Sequence, residues 1–150
     1  MAAFTIEPRM SIRNLEPDAY DTLLNLEKYI GSTGLDRGLR ELIRIRASQI
    51  NGCAYCIQLH TTEARELGEE ERRIYALSAW HESPLFTPEE RVVLAMTDEI
   101  TDISLNGLTD ETYHEARQVF DEHTLARLIL QIVSINSWNR IAVATRMVHP

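Results

Sequence analysis

Two thiols and an imidazole stand close together in the segment QINGCAYCIQLHTTEAR, residues 49–65. On a helix, Cys53, Cys56 and His60 fall at positions i, i+3 and i+7, so the three side chains share one face. Cys53 would lie in the first turn, where unpaired backbone N–H groups and the positive end of the helix favour a thiolate. A thiolate can attack peroxides or disulfides, and this spacing lets one cysteine resolve the oxidised form of the other.

Two other interpretations of the same residues remain open at this point. A pair of cysteines on one helical face can simply be two small buried apolar residues. Alternatively, the two cysteines and His60 are three ligands of the types that bind zinc, and a carboxylate or a water could complete an open site. The sequence has no second CxxC and no HxxxH to close a structural zinc site. A redox dithiol is therefore favoured over a metal site.

A carboxylate upstream of the motif has two possible roles. Glu41 lies within LRELIRIR, residues 39–46, and by default it is a solvated residue that pairs with the arginines around it. If the Asn51–Gly52 break folds this helix back on the next one, Glu41 instead comes close to His60. Sequence physics permits the second arrangement without requiring it.

Helices must position these residues, because the apolar pattern predicts helix after helix and no convincing strand pair. Caps mark several starts, at Asp36, at Thr87 with a capping box to Glu90, and at Thr109. The predicted helices run from Pro17 to Ile30, from Asp36 to Asn51, from about Cys53 to Gly68, over residues 69–80, from Thr87 to Ile100, from Thr109 to Phe120 and from about Glu122 to Met147. We expect an all-α, single-domain bundle over residues 1–150 with roughly six to eight helices.

The last predicted helix is apolar nearly all round, in the run LARLILQIVSINSWNRIAV, residues 125–143. A helix of this kind is either central to the core or half of a subunit interface.

Charge and composition exclude several classes of function. The formal net charge is -8, and no run of lysines and arginines offsets it, so nucleic acid is not an expected partner. The N-terminal segment reads neither as a signal peptide nor as a membrane anchor. We therefore expect a cytoplasmic protein without a membrane partner. In the cytoplasm, cysteines are more often catalytic, redox-active or metal-binding than structural.

The segment ELIRIRASQINGCAYCIQLHTTEAR, residues 41–65, resembles the core of the alkylhydroperoxidase AhpD-like group within the carboxymuconolactone decarboxylase family. The resemblance continues through residues 75–101 and 135–147, so it covers most of the chain. The pattern of a Glu, a Cys twelve residues later, CxxC, and a His four residues further on is specific, whereas a bare CxxC would not be. The family is all-α, which agrees with the helical pattern.

The resemblance implies a role for each residue that matches the family motif. Cys56 corresponds to the peroxidatic cysteine, which attacks the hydroperoxide, and Cys53 to the resolving cysteine, which then forms the disulfide. Glu41 and His60 correspond to a proton relay. The helix dipole favours Cys53 as the more acidic thiol, but the dipole effect is only about 0.3–1 kcal/mol, and a neighbouring histidine base can outweigh it. We therefore follow the resemblance for the roles.

The resemblance also implies a pocket and an assembly. AhpD enzymes carry a His immediately before the second cysteine, where this chain has Tyr55. Tyr55 is a further candidate for the substrate pocket, either as a hydrogen-bond donor in place of that His or as a packing residue. The candidates for the apolar wall of a hydroperoxide pocket are Trp80, His81, Phe86 and Trp138, although packing in the core or an interface explains each equally well. Family members form homo-oligomers, commonly trimers or hexamers, and we expect the subunit boundary to lie near the dithiol.

The main hypothesis is a thiol-dependent peroxidase that reduces a small hydroperoxide through a Cys53–Cys56 disulfide cycle. Its partners would be the hydroperoxide and a protein or small-thiol reductant, and we expect neither a cofactor nor a metal ion. One alternative is a decarboxylase or lactone-processing enzyme of the same superfamily, which would not need the dithiol. Another is a non-enzymatic sensor switched by the disulfide.

Overall fold

The structure is a computed structural model that describes residues 4–148. Within this part of the chain it contains nine α-helices, one short 3-10 helix and no strand, which confirms the all-α prediction. The helices are α1 (Ile12–Leu15), α2 (Pro17–Ser32), α3 (Arg37–Asn51), α4 (Ala54–Glu66), α5 (Glu71–Ala76), a 3-10 helix (Leu77–Ala79), α6 (Pro88–Thr101), α7 (Ile103–Asn106), α8 (Asp110–Val119) and α9 (Glu122–Thr145). The single-turn helices α1 and α7 were not predicted, because four residues are too short to show a helical period.

The predicted helix starts are set by the caps that the sequence indicated. The Asp36 carboxylate accepts the N–H of Leu39 at 2.8 Å and begins α3. Thr87 and Glu90 form both hydrogen bonds of a capping box at the start of α6. The Thr109 side chain likewise accepts the N–H of Thr112 at the start of α8.

Helices α3 and α9 pack together at the centre of the bundle. One buried cluster joins α3, α6 and α9 and includes Ile43, Val93, Met96, Leu128 and Ile132. A second cluster joins α3 and α6 to the region after α4 and includes Leu42, Ile45, Leu77, Trp80 and Leu94. The apolar character of α9 is thus used on its inner side, while Val133 and Val143 on its outer side are 44% and 49% exposed.

The break between α3 and α4 delivers the dithiol. Gly52 ends α3 in the left-handed conformation, with φ 66°, and the N–H of Cys53 donates to the Ser48 carbonyl at 3.0 Å. This is the Schellman pattern of helix termination. The backbone then turns so that Cys53 becomes the N-cap of α4. Two consecutive residues, Gly52 and Cys53, therefore end one helix and begin the next.

Buried amides hold this turn against α9. The Asn51 side chain donates to the side-chain oxygens of Asn136 and Asn139, each at 2.9 Å. Asn139 is fully buried and donates in turn to the Ser48 hydroxyl at 2.9 Å. Because buried polar groups are costly when unpaired, this network fixes where α3 ends.

The helices described between residues 4 and 148 include none that is both long enough and apolar enough to cross a bilayer.

We predict that Gly52→Ala destabilises the protein by about 1 kcal/mol, since a side chain is strained at positive φ. The cause would be backbone strain rather than a clash, because nothing lies within 4 Å of the added Cβ. Gly52→Asn should lose less stability, as asparagine tolerates this conformation better. Urea unfolding of the three proteins measures the difference, and equal losses for Ala and Asn would contradict this account.

Candidate active site

The dithiol lies at the N-terminus of α4, and Cys53 and Cys56 are joined as a disulfide. Both residues are almost entirely buried, at 1% and 3% exposure. Their Cα atoms are 5.3 Å apart, and the N–H of Cys56 donates to the Cys53 sulfur at 3.3 Å. Cys53 therefore caps the helix through its side chain, and both sulfurs lie where the helix end favours negative charge.

His60 lies one turn further along α4, between two carboxylates. Its Nδ1 is 3.0 Å from Glu41 of α3 and 3.0 Å from Glu63 of α4. Glu41 is buried at 5% exposure, so it is not the solvated residue that its sequence context alone would suggest. The fold-back of α3 on α4 thus brings Glu41 to His60, which is the second of the two arrangements considered for this residue.

The two carboxylates beside His60 favour its protonated form. Burial alone would lower the pKa of His60, but hydrogen bonds to Glu41 and Glu63 outweigh it, and the pKa is raised above its ordinary value. The same hydrogen bond from His60 lowers the pKa of Glu63. A histidine of this kind can give a proton to a leaving group and take it back, which is general acid–base chemistry.

Arg44 connects this pair to a third carboxylate. Its guanidinium donates to Glu41 and, through the other terminal nitrogen, to Glu27 of α2. Burial alone would raise the pKa of Glu27, but Arg44 outweighs it, and the pKa lies below the ordinary value. Glu27 also accepts from the hydroxyl of Ser134 on α9. Glu41 therefore has both of the partners considered for it, an arginine of its own helix and His60.

Three side chains at the site could reach a common cation. Ligand atoms of Glu41, His60 and Glu63 lie within 4.8 Å of one another. The Arg44 guanidinium pairs with Glu41, so one of the three candidate ligands already has a cationic partner. Neither cysteine belongs to this cluster, so it is not the zinc site considered from the sequence.

A cavity of about 270 Å³ opens onto the site. Cys56 and His60 line it, as do Tyr55 and Trp138, two of the candidates for the pocket wall. Trp138 packs edge-on against Tyr20, with ring centroids 5.0 Å apart. The other lining residues are Tyr20, Leu24, Glu27, Arg44, Leu59, Glu63, Ala142 and Met147. The cavity therefore has an apolar, aromatic wall and a polar end, formed by His60 and the charged residues around it.

The remaining pocket candidates lie elsewhere in the chain. Trp80 belongs to the second buried cluster, donates its indole N–H to Asp98 at 3.1 Å, and stacks on His81. Trp80 and His81 line a separate surface depression, next to Arg91. Phe86 is buried in the same cluster as Trp80. Within this chain, none of the three lines the cavity at Cys56.

Sequence reasoning missed Glu27 and Glu63. Glu63 follows His60 by three residues, so the helical period could have placed it beside the imidazole. Glu27 lies on a different helix, and no local signal distinguishes it from the other acidic residues. Only the packing of α2 against α3 and α9 brings it to Arg44.

A model of the carboxymuconolactone decarboxylase family matches residues 17–99, a range that contains Glu41, both cysteines and His60. The chain therefore belongs to the carboxymuconolactone decarboxylase family, among its AhpD-like members.

Two similar proteins cover nearly the whole chain. The uncharacterized protein YdfG of Bacillus subtilis (strain 168) is 44% identical over 136 residues, which are 91% of this chain and 92% of that protein. A solved structure from Agrobacterium tumefaciens, of a protein of unknown function related by its name to the antioxidant defence protein AhpD, is 38% identical and superposes with a TM-score of 0.93. That match covers 96% of this chain and 99% of the other.

The same fold is also found in a protein named as a debrominase. The debrominase Bmp8 superposes with a TM-score of 0.81 over 91% of this chain and 73% of that one, at 19% identity. At this identity the likeness shows the fold alone, so the activity must be argued from the site.

We predict that His60 makes stability depend on pH. Because its pKa is raised on folding, its stabilisation is fully present below the ordinary value of 6.5 and is lost as pH rises through the raised pKa. The free energy of unfolding of the wild type, relative to His60→Gln, should therefore fall over that interval in urea titrations. The exposed His114→Gln serves as the control and should keep the wild-type profile, whereas a wild-type profile for His60→Gln would contradict the prediction.

We predict that Glu27→Gln destabilises the protein by about 1–3 kcal/mol, because it leaves a buried guanidinium with one charged partner instead of two. Glu70→Gln is the matched control, since Glu70 pairs with Arg72 at the exposed surface, and it should change stability little. Both are measured by denaturant unfolding. Equal effects of the two substitutions would show that the buried pair has no special weight.

Proposed function

We propose that the protein is a thiol-dependent peroxidase that reduces organic hydroperoxides or hydrogen peroxide through the Cys53–Cys56 pair. The observation that carries the proposal is that one sulfur of the disulfide lines a cavity together with a histidine bonded to a buried carboxylate. Membership of the family and the whole-chain likeness to a protein related by name to AhpD support it.

In the first step the thiolate of Cys56 attacks one oxygen of the hydroperoxide. The S–O bond forms as the O–O bond breaks, and Cys56 becomes a sulfenic acid. The alkoxide that leaves needs a proton, and we assign this proton to His60, which lines the same cavity as Cys56 and whose Nδ1 is held by Glu41. The accessibility of Cys56 from the cavity supports this role over the dipole argument that favoured Cys53.

In the second step the thiol of Cys53 attacks the sulfenic sulfur of Cys56. A disulfide forms, and the hydroxyl group leaves as water with the proton of the thiol. The Cα separation of 5.3 Å lies within the range that a disulfide spans. A thiol reductant, either a protein or a small molecule, then restores both cysteines.

The wall of the cavity suits the organic part of such a substrate. Tyr20, Leu24 and Trp138 offer apolar and aromatic surface, while the relay lies at the polar end. Tyr55 also lines the cavity, in the position where AhpD enzymes carry a histidine. A phenol in this position can donate a hydrogen bond to a peroxide oxygen, and we assign proton transfer to His60 and its partner Glu41.

We further infer that residues 1–150 act as one domain in a cytoplasmic homo-oligomer, a trimer or a hexamer, as in the family. Light scattering of the purified protein tests the assembly.

We predict that Cys56→Ser abolishes turnover of cumene hydroperoxide in the presence of dithiothreitol. Glu41→Gln should slow turnover by roughly 10²–10⁴-fold, since it removes the partner that sets the proton on His60. Cys53→Ser should form a sulfenic acid that a sulfenic-acid-specific dimedone probe labels. The exposed Glu66→Gln on the same helix is the matched control and should keep the wild-type rate.

If wild type and Cys56→Ser consume peroxide at the same rate, the peroxidase proposal is wrong. A disulfide that forms once with peroxide, without turnover under any thiol reductant, would instead indicate a redox sensor. Activity that survives loss of both cysteines would indicate an enzyme of the decarboxylase or lactone-processing kind.

A further inference from the structure

The geometry points to Cys56 as the sulfur that the reducing thiol attacks, so that the reductant and the hydroperoxide react at the same atom through the same cavity. The inference rests on the proposed dithiol cycle and assigns its last step, the reopening of the disulfide. Two independent features of the site lead to it, the access to each sulfur and the stability of each leaving thiolate.

Access favours Cys56. Both cysteines are buried, but Cys56 is among the residues that line the cavity and Cys53 is not. The two cysteines share one buried cluster with Ala142, and of the pair Cys56 is the residue at the cavity wall. A thiol that enters the cavity therefore meets Cys56 before Cys53.

The leaving group favours the same direction of attack. A thiolate leaves faster when its pKa is lower, and attack on Cys56 expels the thiolate of Cys53. That sulfur is the N-cap of α4, a helix of 13 residues, and it already accepts the N–H of Cys56 at 3.3 Å. The helix end would therefore stabilise the new negative charge on Cys53 as it forms.

The step balances as a thiol–disulfide exchange. The reductant thiolate forms a bond to the Cys56 sulfur, the Cys53–Cys56 bond breaks, and its electron pair goes to Cys53. A second thiol of the reductant then attacks the reductant sulfur of the mixed disulfide. This releases Cys56 as a thiolate and the reductant as its own disulfide. In total the reductant is oxidised by two electrons and the Cys53–Cys56 disulfide is reduced by two.

This order has a kinetic consequence. The exchange regenerates the Cys56 thiolate facing the cavity, where the next hydroperoxide arrives. The mixed disulfide occupies that cavity, so reductant and hydroperoxide cannot react at the same time, and a ping-pong pattern is expected.

The test uses the oxidised wild type and 2-mercaptoethanol, without any peroxide. The reaction is stopped with acid at short times, free thiols are blocked with N-ethylmaleimide, and the tryptic peptide 47–65, which holds both cysteines, is fragmented by mass spectrometry. We expect mercaptoethanol on Cys56 and the maleimide on Cys53 at the earliest times. The reverse assignment overturns the inference.

A second measurement covers later exchange between the two sulfurs. Cys53→Ser and Cys56→Ser each keep one thiol, and each is loaded as a mixed disulfide with 2-mercaptoethanol. Serine at position 53 preserves a capping side chain, so this variant is expected to fold. Dithiothreitol should release the adduct from Cys56 at least about tenfold faster than from Cys53, because access limits release from Cys53 although its thiolate is the better leaving group. Equal rates, or faster release from Cys53, would refute the inference.

The two proposals can fail separately. If the adduct forms on Cys56 in a protein that does not turn over peroxide, the inference about the exchange step is supported and the peroxidase proposal is wrong. Turnover of peroxide with the adduct on Cys53 would do the opposite.

Discussion

The arrangement of the site depends on the two ion pairs that the Arg44 guanidinium makes. It is 9% exposed and lies between Glu41, on its own helix, and Glu27, on α2. Without it, Glu27 would keep the more distant Arg40, at 3.6 Å, and buried Glu41 would keep His60, which is unfavourable for carboxylates turned towards the interior. The backbone carbonyl of Arg44 accepts a hydrogen bond from the Ser48 hydroxyl, which in turn accepts one from Asn139. Asn139 also accepts a hydrogen bond from Asn51, in the turn before Cys53. One residue thus connects the Glu41–His60 pair to the turn that carries the dithiol.

Much of the architecture could be predicted because its signals are local. A cap is a relation between residues three apart, as Asp36 and Thr87 illustrate, and both begin helices where expected. The Asn51–Gly52 pair marked the break before the dithiol in the same way. The common face of Cys56 and His60 follows from helical geometry alone, and both side chains line the cavity.

The partners of the site could not be predicted, because they depend on how helices pack. Glu27 is far from Arg44 in sequence, and its importance exists only once α2 lies against α3. Trp80 illustrates the reverse case, a residue considered for the pocket that lies in the core of this chain. An aromatic residue after the motif suggested a pocket wall, but its indole donates to Asp98 within a buried cluster. An aromatic side chain serves a core and a cavity equally well, so residue type does not distinguish the two.

The cap of α4 illustrates a compromise between stability and activity. Serine, threonine, aspartate and asparagine are the side chains that begin helices best, and the chain uses aspartate or threonine at the starts of α3, α6, α8 and α9. At α4 the same position holds Cys53, whose sulfur is a weak acceptor. The helix that carries the dithiol therefore begins with a less stabilising side chain than α3, α6, α8 and α9 do. The sulfur at this position gives up part of the stability of a good helix cap and in return can form the disulfide with Cys56.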